Sequence, residues 1–486
     1  MRNHSQLKKL FARVLIALTI LTALTQVTGA EQASGRVSPT AVLPNASAPS
    51  QALQSAPLRA AGNAGDFPVS RSQTRRQSVG SLPSSGDFLP AVAYDSGGYV
   101  PFSVAVADVN GDGKPDLVVA NSYACYVGSC LTGSVAVLLG NSDGTFKTAV
   151  TYDSGGAQTY SVVIADVNGD GKPDIVLANY CVSRDSCVNG LVGVLLGNGD
   201  GTFKPAVTYN SGGYGTGSVA VADVNSDGNP DLLVANYCDR LGCPGSVGVL
   251  LGNGDGTFQD VVTYGSGVNF ARSVAVADVN SDGKVDVLIG SQCRVYPYNC
   301  QDLVGVLLGN GDGTFQPVVT YNSGDQYESS VVVADVNGDG KPDLLTTNLS
   351  SDIVGVLLNK GDGTFQTVVT YKLGGAHAFS VAVADVNDDG KPDLVVAHEY
   401  DLAHHGSLGV LLGNGNGTFQ PALEYNSGGD TPSLSVRVAD LNGDGKPDLL
   451  VTNTCVIQTS CATGSVGVLL NNAGVHSRLR LRSLPG

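Results

Sequence analysis

Tryptophan is absent from the 486 residues, methionine occurs once, and charged residues make up only 14% of the chain. Basic residues are the scarcer sign: 27 Lys and Arg stand against 43 Asp and Glu, a net charge of −16. Nucleic acid and anionic membrane surfaces both need a basic footprint, so this balance argues against either as a partner. No apolar run beyond the N-terminal region is long enough to cross a bilayer. No nucleophile–base pattern stands out, which argues against an enzyme. Glycine, by contrast, is abundant at 64 residues. High glycine with moderate hydrophobicity points to many tight turns between short strands rather than to long helices.

The N-terminus reads as a secretory signal over residues 1–30. Arg2, Lys8, Lys9 and Arg13 lead, an apolar run follows at 14–23, and Thr28, Gly29 and Ala30 offer small residues for cleavage. An uncleaved anchor is the alternative, but the apolar run is short for a span. Cleavage would remove four basic residues and no acidic one, leaving −20. Residues 31–84 are rich in Ser, Ala, Pro, Gln and Arg without periodicity and read as a disordered spacer. Residues 473–486 form a short tail after the last repeat.

Internal repetition organises residues 85–472. The string Ala-Asp-Val-Asn-Gly-Asp-Gly-Lys-Pro-Asp begins at Ala107 and recurs, whole or slightly altered, at Ala165, Ala222, Ala277, Ala334, Ala384 and Ala439. The loop-opening aspartates are spaced by 50 to 58 residues. Each unit reads as four strands. In the first they fall at 103–109, 117–120, 134–139 and 146–152, with a hairpin turn at 141–144. Four antiparallel strands per unit is the pattern of a propeller blade. The seventh unit stops after its third strand, while a spare fourth strand at 86–94 precedes the first unit. A closed ring uses that offset, because the early strand completes the last blade and leaves no open edge. The expected fold is therefore all-β: a seven-bladed propeller closed by an N-terminal strand.

Each loop between strands one and two carries oxygen side chains at positions 1, 3, 5 and 9. A backbone carbonyl is on offer at position 7 and a turn-permitting Gly stands at position 6. In the first unit these are Asp108, Asn110, Asp112 and Asp116, with the carbonyl of Lys114. The next two sets are Asp166, Asn168, Asp170 and Asp174 with Lys172, and Asp223, Asn225, Asp227 and Asp231 with Asn229. Then come Asp278, Asn280, Asp282 and Asp286 with Lys284, and Asp335, Asn337, Asp339 and Asp343 with Lys341. The last two are Asp385, Asn387, Asp389 and Asp393 with Lys391, and Asp440, Asn442, Asp444 and Asp448 with Lys446. Hard oxygens without Cys or His select Ca²⁺, up to seven ions in a structural role. A polar turn alone is the competing reading, but it gives no reason for the ninth-position carboxylate.

These loops, with Gly-Thr-Phe turns at Gly144, Gly201, Gly256, Gly313, Gly363 and Gly417, resemble the FG-GAP or VCBS repeat family, which includes the propeller of integrin alpha chains. The resemblance covers about residues 85–472. It implies a seven-bladed propeller with Ca²⁺ in the one–two hairpins, and secreted or surface proteins in adhesion or ligand binding. This chain departs by carrying the loop in every unit, whereas integrins carry it in some. Integrin-type signalling is not carried over.

All ten cysteines fall between strands two and three, paired within units: Cys125 with Cys130, Cys181 with Cys187, Cys238 with Cys243, Cys293 with Cys300, and Cys455 with Cys461. Local disulfides are the simple reading. A Cys–metal site is the alternative, against which stand variable spacing and two ligands per loop. In a propeller the one–two and three–four loops share one face, and the two–three and four–one loops the other. Seven tyrosines repeat in strand four. The other eleven fall in or beside the second set of loops, and Tyr99, Tyr160, Tyr214, Tyr327 and His377 are candidate ligand-face residues. The rings either recognise a partner or cover the blade rims. A His-rich stretch at 398–405 reads as a polar loop or a transition-metal site.

The function this supports is a secreted calcium-binding protein acting as an extracellular binding or adhesion module toward an unidentified protein or glycan. A lectin-like propeller is the alternative, its stacking left to tyrosine. A propeller lyase or hydrolase comes third, with Asp325, Glu328 and Glu399 as the loop acids to test.

Overall fold

The computed structural model describes residues 88–122, 132–183, 189–238, 244–292, 303–325, 328–350, 352–400, 406–429, 432–454 and 463–472. The signal, spacer and tail expected at 1–30, 31–84 and 473–486 lie outside them. The described residues fall within the unit Leu58–Gly486.

Seven four-stranded antiparallel sheets account for every described strand. Blade one runs Pro101–Ala107, Asp116–Asn121, Ser134–Leu138 and Val150–Asp153. Blades two to six repeat this order. Blade seven takes Ser433–Ala439, Asp448–Asn453 and Ser465–Leu469 from the C-terminal side, and its fourth strand is Val92–Asp95. Val92 pairs with Val468 and Asp95 with Ser465 in antiparallel register. The expected closure is thus present, and it removes the two open edges that a linear array would leave.

First strands of consecutive blades touch one another around the whole ring, blade seven against blade one included. They are therefore innermost, and fourth strands outermost. Burial follows the same gradient: Asp116–Asn121 is buried throughout, whereas Val150–Asp153 is largely exposed. The core is divided into seven apolar clusters, one at each blade–blade interface. One joins Val104 and Leu117 of blade one to Leu450 and Val466 of blade seven. A second joins Ala105 and Val118 of blade one to Val162 and Ile175 of blade two. Alternate residues of one strand face opposite neighbours, which is why the strands read as continuous Val, Leu and Ala.

The repeated Tyr and Phe fasten blades together. Tyr152 of blade one meets Phe203 of blade two edge-on at 5.7 Å, and Tyr264 meets Phe315 likewise at 5.2 Å. Such pairs contribute about 0.5–1.5 kcal/mol beyond their burial. Phe88, next to the closing strand, packs edge-on against Tyr425 of blade six at 5.4 Å, so the N-terminal segment supplies blade seven's share of this clasp.

Several boundaries differ from expectation. The first strand of blade one starts at Pro101 and ends at Ala107. Val109 lies in the loop, where its N–H is taken by Asp116. The fourth strand starts at Val150, because Phe146 makes only an isolated bridge to Gly140 before the chain leaves the ladder. In blade six, His398, Glu399 and Tyr400 belong to strand Asp393–Tyr400 rather than to a loop.

Candidate functional site

The Asp-rich loops repeat one geometry. In blade one, Asp108 Oδ1 accepts from the N–H of Gly111 at 2.7 Å and of Asp112 at 3.1 Å, and its Oδ2 accepts from Gly113 at 2.7 Å. Asn110 Oδ1 accepts from the N–H of Asp112 at 2.8 Å. Gly113 has φ near +80°, the left-handed turn that its place in the motif requires. Asp112 takes the N–H of Lys114 at 3.0 Å and pairs with its Nζ at 3.0 Å. The same pairing recurs at Lys172, Lys284, Lys341 and Lys391, and at 4.0 Å at Lys446. Blade three has Asn229 there instead, whose backbone N–H reaches Asp227 Oδ1 at 2.8 Å.

The ninth-position aspartate does something else. Asp116 is fully buried. Its Oδ2 accepts from Val109 N–H at 3.0 Å, and its Oδ1 from Gly140 N–H in the three–four turn at 2.7 Å. Asp174, Asp231, Asp286, Asp343, Asp393 and Asp448 make the same two bonds in their blades. This carboxylate ties the two hairpins of each blade together, which places the one–two and three–four loops on one face. This carboxylate therefore has a hairpin-tying role besides the ligand role expected of the ninth position. Burial first, then the charges of Asp112 and Asp108, push Asp116 up to about 6 against the relief given by its two N–H donors. Asp286, Asp343 and Asp448 are likewise pushed up to about 6.

The donor chemistry of these loops suits a hard divalent cation: the side chains offered are carboxylate and amide oxygens. The loops are also closed on themselves. Among the described residues no three His, Cys, Asp or Glu side chains gather tightly enough to cage a metal. A Ca²⁺ would be held by the free lone pairs of positions 1, 3, 5 and 9 and by the position-7 backbone carbonyl.

The opposite face carries the varied rings, and the structure brings many of them together. Phe102 and Tyr160 lie 4.4 Å apart, Tyr160 and Tyr180 5.3 Å, Tyr180 and Tyr237 6.1 Å, and Tyr237 and Phe270 4.8 Å. Tyr214 touches Tyr180 at 6.3 Å, and the Arg272 guanidinium sits 5.9 Å from the Tyr160 ring centre. The cluster crosses blades one to four. Tyr180 lies over Gly215, whose φ is +67° and where a Cβ would come within 2.5 Å of the ring. Of the candidate ligand-face residues, Tyr160 and Tyr214 are in this cluster and half-buried, and Tyr99 is half-buried. Tyr327 lies outside the described residues.

His377 is exposed and sits in the left-handed region at φ 63°. Its Nδ1 meets Glu399 Oε2 at 2.5 Å. The hydrogen bond to Glu399 pushes the His377 pKa up; burial opposes this, and the charges of Glu399 and Asp352 add to it. His398 is fully buried, with Nδ1 3.1 Å from Asp352 Oδ1. It replaces a buried Asn found at this place in other blades, as Asn121, Asn179 and Asn236, which bonds the carbonyl of a loop serine. The two described histidines of blade six thus hydrogen-bond different carboxylates, Glu399 and Asp352. Asp325 is exposed, and only the backbone of Glu328 is described. His404 and His405 lie outside the described residues.

Of the cysteines, Cys181 is fully buried at its strand end and is disulfide-bonded. Its expected partner Cys187 lies outside the described residues, as do Cys125, Cys130, Cys243, Cys293, Cys300, Cys455 and Cys461; only the backbone of Cys238 is described. Asn348, which opens a glycosylation sequon, is fully buried beside the loop carbonyl of Ser323 and does not present an acceptor. No described helix is long and apolar enough to cross a membrane.

The model of the FG-GAP-like repeat matches residues 125–177, 180–234, 238–289, 298–346, 346–396 and 397–451, and that of the FG-GAP repeat matches 100–138 and 434–469. Human cartilage acidic protein 1 is 27% identical over 206 residues, covering 39% of this chain and 30% of that protein. The integrin alpha pat-2 of Caenorhabditis elegans is 30% identical over 225 residues, covering 38% of this chain and 17% of the integrin. The chain therefore spans under a third of the length of the curated relatives it matches. Among solved structures, an Agrocybe aegerita lectin described as recognising non-reducing terminal N-acetylglucosamine superimposes with a TM-score of 0.46 at 23% identity, over 70% of this chain and 84% of the lectin.

Proposed function

This chain belongs to the FG-GAP repeat family, and we propose that it works outside the cell as a binding or adhesion module in which Ca²⁺ is structural. The observation that carries the reading is the division between the two faces. One face repeats the same oxygen-lined loop in all seven blades. The other presents half-buried rings that differ from blade to blade. A scaffold needs repetition at its fastenings, whereas recognition needs variety, and amphipathic rings are what recognition surfaces use. Matches to an integrin alpha chain and to a cartilage acidic protein support an extracellular role. The leader at residues 1–30 supports export, and the within-loop cysteine pairs suit an oxidising compartment.

The partner on this reading is a protein or glycan ligand held on the aromatic face. The test is a matrix-protein and glycan array probed with the calcium-loaded protein. A Tyr160→Ala, Tyr214→Ala variant should lose the hits that the wild type gives, while an Asp200→Ala change on the opposite face should keep them. Hits that survive the tyrosine changes would place recognition elsewhere.

A further inference from the structure

The innermost strands carry a pattern that the adhesion reading does not use. In every blade the first strand has a register shift, and the residue just after it is a serine: Ser103, Ser161, Ser218, Ser273, Ser330, Ser380 and Ser435. These strands touch around the ring, so the seven serines stand at one level about the axis. Two of them show where they point. Ser273 Oγ accepts from Val331 N–H of the next blade at 3.1 Å, and Ser380 Oγ accepts from Val436 N–H at 3.4 Å. Each then keeps its own hydroxyl proton to donate.

Two residues beyond the serine, six blades carry a small apolar side chain, Ala105, Val163, Ala220, Ala275, Val332 and Ala382, and the seventh carries Arg437. The position of its guanidinium follows from the ladder. In an antiparallel strand the N–H and C=O of one residue point to the same side. Val436 N–H points away from its sheet, to Ser380, so the Val436 carbonyl also faces the inner edge. Arg437 Nη1 donates to that carbonyl at 2.8 Å, which puts the charge at the inner edge of the ring. Among the described residues this carbonyl is its one acceptor, and no carboxylate pairs with it. Burial alone lowers its pKa, with no neighbouring charge contributing. Yet the residue keeps part of its surface open to solvent. A side chain on the inner rim of the ring, where the seven first strands surround the axis, meets both conditions. A guanidinium stays charged in proteins and has five N–H donors in a planar fork, most of which no described residue accepts.

We propose that the inner rim of the ring binds one small oxyanion, a carboxylate or sulfate group, with the Arg437 guanidinium as its counter-charge and the inner-strand serine hydroxyls as further donors. A planar fork facing an oxyanion is the arrangement that satisfies such a buried cation. The site is independent of the adhesion reading, since it rests on charge and donors at the inner rim, and failure of the array experiment would leave it standing.

The test uses the full calcium-loaded chain. Equilibrium dialysis against labelled sulfate, and separately against labelled acetate, is run in sodium chloride at constant ionic strength. The expected result is saturable binding of one anion per chain, weakened at least about tenfold in Arg437→Gln, as loss of a charge-assisted pair implies. No saturable binding of either anion by the wild type would overturn the proposal, and so would wild-type affinity in Arg437→Gln. Should that variant fail to fold, phenylglyoxal labelling of the wild type read by mass spectrometry decides. Saturating sulfate should protect Arg437, and equal labelling with and without sulfate would overturn the site.

Discussion

Replacing Asp116 by Ala should destabilise the protein whether or not calcium is present, and replacing Asp112 should do so only when it is. Asp116 is fully buried and accepts from two backbone N–H groups, at 3.0 and 2.7 Å. Ala leaves both donors buried without an acceptor, at about 1–3 kcal/mol each, so about 2–6 kcal/mol in all. Asp112 is exposed, and its partners are the backbone N–H and Nζ of Lys114 in the same loop. Loss of an exposed pair of that kind is worth under about 1 kcal/mol. Any larger effect of Asp112→Ala must come from an ion it helps to hold. The assay is urea denaturation followed by far-UV circular dichroism, since no tryptophan is available as a probe. Each variant is measured in chelator and in millimolar calcium. The expected outcome is a fall for Asp116→Ala in both conditions, and for Asp112→Ala a fall confined to calcium. An Asp116→Ala protein as stable as wild type in chelator would refute the hairpin-tying role. Equal losses for the two variants in chelator would refute the division of labour between positions five and nine.

Phe88→Ala removes the clasp on Tyr425 next to the closing strand and should cost about 1–3 kcal/mol for a half-buried ring, read as a lower urea midpoint. Gly215→Val demands a β-branched residue at φ +67° and a Cβ 2.5 Å from the Tyr180 ring. It should cost about 1–3 kcal/mol and change the near-UV tyrosine signal, whereas an unchanged signal would mean Tyr180 is not held there. His377 has its pKa raised by Glu399, so the pair's contribution is full below the ordinary histidine value and is lost as pH rises through the raised one. With His377 half exposed, the effect is under about 1 kcal/mol, and His377→Gln should flatten that part of the stability profile.

The fold was legible because its signals are local and repeated. Seven Asp-rich turns, six Gly-Thr-Phe turns and a fourth strand out of place at 86–94 fix blade number and closure together. The strand ends were less legible, because hydrogen bonding decides them. Val109 continues the apolar pattern, yet its N–H goes to Asp116 instead of a strand partner. The site was half legible. Spacing marks the aspartates, but not that position nine turns inward to join two hairpins, a contact spanning 24 residues from Asp116 to Gly140. The repeated Tyr and Phe were visible as repeats, while their pairing across blades depends on the ring geometry. Arg437 carried one signal that could have been read, an arginine where six other units have Ala or Val. Its place at the inner edge of the ring needed the ladder.

Calcium in the seven loops is the centre of this account, and thermal melting of the same protein in chelator and in a calcium series tests it most directly. An ion that binds the folded state alone adds about 2.7 kcal/mol per site at a hundredfold excess over its dissociation constant. The melting temperature should therefore climb with calcium, and direct titration should find several ions per chain, up to seven. An identical melting temperature throughout the series, with no calcium bound at equilibrium, would contradict it.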